Sequence, residues 1–208
     1  MGTMAHAASL GISGGYAGSI PGSGINDILD PLGLPNPLDV FFESTITASG
    51  FTSKDLIVYE VLGFEAGAMN TFTVAGAGSY TTTGGSTPVT GTPAGTPLAT
   101  FKSFDIGGGI PGFSFSTDIP TVSPDTVANG DANTKADGVI NFAAYQDAAG
   151  AIYLFLDDGG ADKLGEFSDN HDDLVVKMTV ETVPLPAGGL LLLTGLGAFA
   201  LRRGRKSA

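Results

Sequence analysis

Cysteine and tryptophan are absent from the 208 residues, and no arginine occurs before Arg202. Without cysteine there is no disulfide scaffold, no thiolate zinc site and no thiol nucleophile. Without tryptophan the chain lacks the indole platforms that favour sugar stacking. Charged residues make up 14% of the chain, well below the usual quarter. A mean hydropathy of +0.24 then excludes a charge-rich disordered chain. Glycine and proline are plentiful at 32 and 12. That many turn-formers argue against an all-helical fold and for many short strands.

Charge is distributed unevenly. All 21 acids lie at or before Glu181, while Arg202, Arg203, Arg205 and Lys206 crowd the C-terminal end. Residues 1–183 carry 21 acids against five lysines, a net of −16. Such a body is repelled by nucleic acid and by anionic lipid. It suits solvated surfaces and divalent cations.

Residues 187–201 contain no charge and are followed directly by Arg202-Arg203-Gly204-Arg205-Lys206. As a helix they span about 22 Å. The hydrocarbon core is about 30 Å thick, so Val183, Pro184, Leu185 and snorkelling arginines must extend the reach. A buried helix of a soluble domain fits poorly, because the stretch has no polar face. The basic tail is expected on the cytoplasmic side and the body on the other. Val183-Pro184-Leu185-Pro186-Ala187, then the apolar stretch, then the basic cluster, resembles a VPLPA-CTERM sorting signal. This is a variant of the PEP-CTERM signals of Gram-negative bacteria. The resemblance implies recognition by an exosortase, cleavage near the motif and transit through the inner membrane. It also implies delivery to the cell surface or extracellular matrix.

At the other end, Ala5-His6-Ala7 has the A-x-A pattern of a signal-peptidase site, with only four residues before it. It reads as the remnant of a signal peptide over residues 1–10 or as a chance match in an alanine-rich stretch. The export signal favours the first. Residues 11–37 read as a Gly/Pro-rich lead-in or an extended edge segment. Gly11-Ile12-Ser13-Gly14-Gly15 matches a nucleophile elbow by letters alone, with no strand before it and no helix after it.

From Leu38 onward, period-two alternation recurs. Val40, Phe42, Ser44 and Ile46 fall on one face. Ile57, Tyr59 and Val61 share another, and Phe72 with Val74 and Phe113 with Phe115 repeat the pattern. Runs from Val139 to Tyr145 and from Ile152 to Leu156 follow, and Leu174, Val176, Met178 and Val180 point one way. The pattern predicts one all-β domain over 38–182, a single antiparallel β-sandwich of jelly-roll-like winding, with the sorting helix beyond it in 183–208. Residues 76–97, rich in Gly, Thr and Pro, read as a long surface loop, either plain or O-glycosylated.

Hard oxygen ligands are densest at Asp157, Asp158, Asp169, Asp172 and Asp173. Calcium takes six to eight oxygens from flexible loops, so these five are candidate ligands for a calcium ion; the alternative is a solvated acidic loop. The segments around them, Leu154–Gly160 and Asp169–Met178, resemble the closing strand pair of many exported proteins that bear such sorting signals. Phe64-Glu65-Ala66-Gly67 with Asn70-Thr71-Phe72 resembles a hairpin of the same proteins. These likenesses imply a fold and a placement, and no activity. The run from Asp125 to Gly138 fails as an EF-hand, because Lys135 and Ala144 fall where ligands belong.

Three classes of function follow. The leading expectation is an exported structural or interaction protein without enzymatic activity. The second is a calcium-dependent module for acidic exopolysaccharide. The weakest is a glycan-active enzyme, since paired acids need a defined separation that a sequence does not supply.

Overall fold

A computed structural model describes residues 7–20, 28–106, 108–134, 139–159 and 171–183. The described chain is dominated by antiparallel strands. These are β1 (Ser9–Ile20), β2 (Leu38–Ser49), β3 (Asp55–Ala66), β4 (Asn70–Val74), β5 (Gly78–Thr81) and β6 (Gly85–Thr90). The series continues with β7 (Ala99–Ser103), β8 (Phe113–Thr117), β9 (Thr126–Ala128), β10 (Asn141–Gln146), β11 (Ile152–Asp157) and β12 (Leu174–Thr182). The single helical turn among the described residues is α1 (Leu29–Leu32), closed by Gly33 in the left-handed region.

The strands form two sheets. The larger runs β1-β2-β10-β11-β12-β3, and both β6 and β7 pair with the far side of β3. The smaller runs β5-β4-β8-β9. Ile57, Tyr59, Val61, Phe142, Leu154, Leu174, Val176 and Met178 of the large sheet pack with Phe72, Val74, Phe113 and Phe115 of the small one. The alternation in β3, β4, β8 and β12 therefore marks the inner face as expected. Phe72, Phe113, Phe115 and Phe142 meet one another at ring separations of 5.0–6.0 Å, and these contacts add to their area burial.

Part of the outer face of the large sheet is buried too. Ile28 and Leu29 join Ile20, Leu38, Val40, Phe42, Leu62, Ala143, Phe155 and Val175 of the sheet in a second buried cluster. This explains why β3 and β12 read as continuous apolar runs in part: residues between the inner-face positions also face a core.

The structure corrects three expectations. The strand architecture begins at Ser9 and not at Leu38; of the two readings of residues 11–37, the extended edge segment holds over 11–20, where β1 pairs with β2. Residues 76–97 are not a plain loop, since they contain β5 and β6. Val40, Phe42 and Ile46 do not share one core. Val40 and Phe42 face the outer cluster, and Ile46 faces the inner one. The switch occurs at Glu43, whose φ is 54°, opposite Gly14 and Gly15 with φ of 72° and 73°. A Cβ on Gly15 would lie 2.1 Å from the Phe42 carbonyl oxygen, so only glycine lets the two backbones cross there. Ser13 of the supposed elbow is exposed on this edge strand, opposite Thr45.

Beyond the crossover, β2 and β10 diverge, and two asparagines fill the gap. Asn129 accepts from Ile46 N–H at 2.8 Å and donates to Ile46 C=O at 2.9 Å. Asn133 does the same for Phe142, at 2.8 Å in both directions. A side-chain amide has the donor and acceptor of a peptide group, so each stands in for a missing strand neighbour.

Among the described residues no helix is long and apolar enough to cross a membrane. The apolar stretch 187–201 lies outside the described residues, as do Pro184, Leu185, Pro186 and Ala187 of the motif and the basic cluster.

Candidate functional site

The last hairpin of the large sheet delivers the acids. Leu156 pairs with Leu174, so Asp157 and Asp173 meet one step further along the same ladder. Asp158 follows β11 and is buried. Gly159 then turns the chain with φ of 72°, and a Cβ there would lie 2.7 Å from the carbonyl carbon of Val139. Glycine is the residue that permits this turn.

The geometry brings three of the five predicted acids together. One carboxylate oxygen from each of Asp157, Asp158 and Asp173 lies within 4.8 Å of the other two. Asp172 is fully buried beside them, outside this group of three. Asp169 lies outside the described residues.

Hydrogen bonds hold the three in place. Asp158 N–H donates to Asp173 Oδ2 at 2.8 Å, and Gly159 N–H donates to Asp157 Oδ1 at 2.9 Å. Asn141, the ladder partner of Asp157, donates its amide to Asp157 Oδ2 at 3.0 Å. With that orientation, Asn141 Oδ1 accepts from Nε2 of the fully buried His171 at 2.9 Å. His171 is thus turned to a neutral amide and packs edge-on against Phe42 at 5.2 Å. Burial, reinforced by the negative charge of Asp158, Asp157 and Asp172, pushes the Asp173 carboxyl well above its ordinary range.

The small sheet contributes residues that sequence reasoning did not single out as ligands. Asn70, fully buried at the start of β4, donates Nδ2 to Asp158 Oδ2 at 3.1 Å. Its ladder partner on β8 is Thr117, which is 8% exposed. Asn70 Oδ1 and Thr117 Oγ1 are both buried and, among the described residues, have no hydrogen-bond partner. The available signal was an asparagine immediately before an apolar strand, at Asn70-Thr71-Phe72 and again at Asn141-Phe142.

Comparison with protein-family models, with curated proteins and with solved structures gave no match.

Proposed function

We propose that this chain is an exported structural or interaction domain of a Gram-negative cell surface or extracellular matrix, routed by an exosortase and carrying no catalytic activity. The observation that carries the reading is the order of Val183–Ala187, the uncharged stretch 187–201 and the cluster Arg202, Arg203, Arg205 and Lys206. The position of the last strand agrees with it. β12 ends at Thr182, and the exposed Val183 is held by one bond, its N–H to Lys54 C=O at 2.7 Å. The last described strand thus stops just before the motif, whose Pro184 and Pro186 disfavour a helix there and suit a protease that grips extended chain. Jelly-roll-like winding belongs to the same reading. β2 and β3, consecutive in sequence, are separated in the sheet by β10, β11 and β12.

Intact-mass analysis of the protein from its native cells, with fractionation, tests the route. The expected mature chain ends near Val183–Ala187 and is found at the envelope or outside the cell. A chain retaining Arg202–Lys206 in the soluble cytoplasmic fraction overturns it.

The convergence of Asp157, Asp158 and Asp173 favours a second reading, a module that holds acidic exopolysaccharide through calcium. A glycan array with and without calcium separates this from the leading reading.

A further inference from the structure

We propose that Asp157, Asp158, Asp173 and Asn70 form a binding site for a hard divalent cation of calcium's kind, with Thr117 beside it, and that the ion ties the two sheets together. Clustered acids alone are common on protein surfaces and point to no ligand. Here a second observation comes from the opposite sheet. Asn70 Oδ1 and Thr117 Oγ1 are buried oxygens on adjacent strands, and among the described residues neither meets a donor or acceptor. Buried polar atoms are almost always satisfied, so two together mark the place of a missing partner.

Asn70 identifies that partner. Its amide faces Asp158 Oδ2 at 3.1 Å through nitrogen. Without a cation it must do so, because two oxygens at that distance repel. This orientation leaves Oδ1 stranded. With a cation present, half a turn of the amide brings Oδ1 to the carboxylate side and turns Nδ2 to the other, where Thr117 Oγ1 on the paired strand can accept from it. Two oxygens about 3 Å apart are then neighbours in one coordination shell. The spacing of the acids fits as well. Oxygens each about 2.4 Å from one ion lie at most about 4.8 Å apart. No pair of the three carboxylates is further apart than that limit.

The donor set selects the ion. Three carboxylates and an amide oxygen are hard ligands, and His171 Nε2 is already directed at Asn141. Such a set suits calcium and lacks the nitrogen or sulfur that zinc prefers. Waters complete the shell, one of them meeting Thr117 Oγ1. The acids come from the β11–β12 hairpin and Asn70 from β4, so the ion joins the large sheet to the small one.

This site supplies the ion on which the calcium-dependent glycan reading rests. The test uses the ion alone, so it can fail or succeed apart from any glycan and apart from the export route. The full chain is stripped with chelator, then titrated with calcium by calorimetry and melted in calcium, in magnesium and in sodium chloride of matched ionic strength. One saturable calcium site is expected, with a melting shift larger in calcium than in magnesium and absent in matched sodium chloride. Asp158→Asn is expected to weaken binding at least about a hundredfold, the loss of one charged ligand at an oxygen site. Thr117→Val preserves shape and removes an unsatisfied hydroxyl. It should weaken calcium binding severalfold without lowering the melting temperature of the chelated protein. No heat of binding, equal shifts in all three salts, or unchanged affinity in both Thr117→Val and Asn70→Ser would overturn the proposal. If Asp158→Asn does not fold, the wild-type titration and the Thr117→Val pair still decide it.

Discussion

An aspartate lies beside each end of strand β12, and the two sit in opposite chemistry. At its C-terminal end, Thr182 pairs with Asp55 of β3. The Asp55 carboxylate accepts from Thr52 Oγ1 at 2.6 Å, Thr182 Oγ1 at 2.7 Å and Thr52 N–H at 2.8 Å. The Thr52 hydroxyl first, then the Thr182 hydroxyl and the Thr52 amide, hold this carboxyl below its usual range. At the N-terminal end, Asp173 has neighbouring carboxylates where Asp55 has hydroxyls, and it is pushed the other way. One end is complete within the chain. The other gathers charge and leaves oxygens from two strands of the facing sheet without partners. Proteins carry such incomplete ends where something else binds, because local consistency is relaxed at functional sites.

The largest expected effect comes from the turns at the two ends. Gly159→Ala forces a Cβ against the Val139 backbone at a φ of 72° and should cost roughly 3 kcal/mol. Gly150 lies in the turn between β10 and β11, at the Asp55 end. Its φ is 87°, but a Cβ there meets open space. Gly150→Ala should cost only about 1 kcal/mol, the conformational penalty alone. Melting curves in chelator should therefore show a drop roughly three times larger for Gly159→Ala. Equal drops would mean that the acidic end is no tighter than the other.

A smaller effect separates the ends by pH. Asp55 has a lowered folded pKa, so its contribution is present above the unfolded value of about 3.9 and is lost as pH falls through the folded value. Asp173 has a raised folded pKa. Its contribution is present below about 3.9 and is lost as pH rises through the folded value. The chelated protein should therefore gain melting temperature on mild acidification from neutral pH, then lose it below about pH 4. Asp173→Asn should flatten the first limb and Asp55→Asn the second. A chelated protein that loses stability steadily from pH 7 downward would contradict the contrast.

Much of this contrast was legible in part from the residues. An apolar run located β11 and strong alternation located β12, and the density of acids between them located the site. Asp157, however, is the last residue of a strand rather than a loop residue. The facing half was not legible. Asn70 and Thr117 are separated by 47 positions, and only the ladder between β4 and β8 makes them neighbours. The Gly-rich β1 and the Gly/Thr/Pro-rich β6 lack alternation of their own. They are strands because β2 and β3 present open edges to them. Asn129 and Asn133 lie in the run that fails as an EF-hand, and only the fold shows them acting as peptide groups. The face switch at Glu43 was hidden for a different reason: a crossover at positive φ preserves the period of two while rotating the strand.

Backbone hydrogen exchange of the full chain, read at both ends of β12 with and without calcium, tests the central claim most directly. Calcium is expected to slow exchange at the amides of Asn70, Asp158, Gly159 and Leu174, and to leave Thr52, Asp55 and Val183 unchanged. Equal slowing at both ends, or no slowing at the acidic end, would contradict the account.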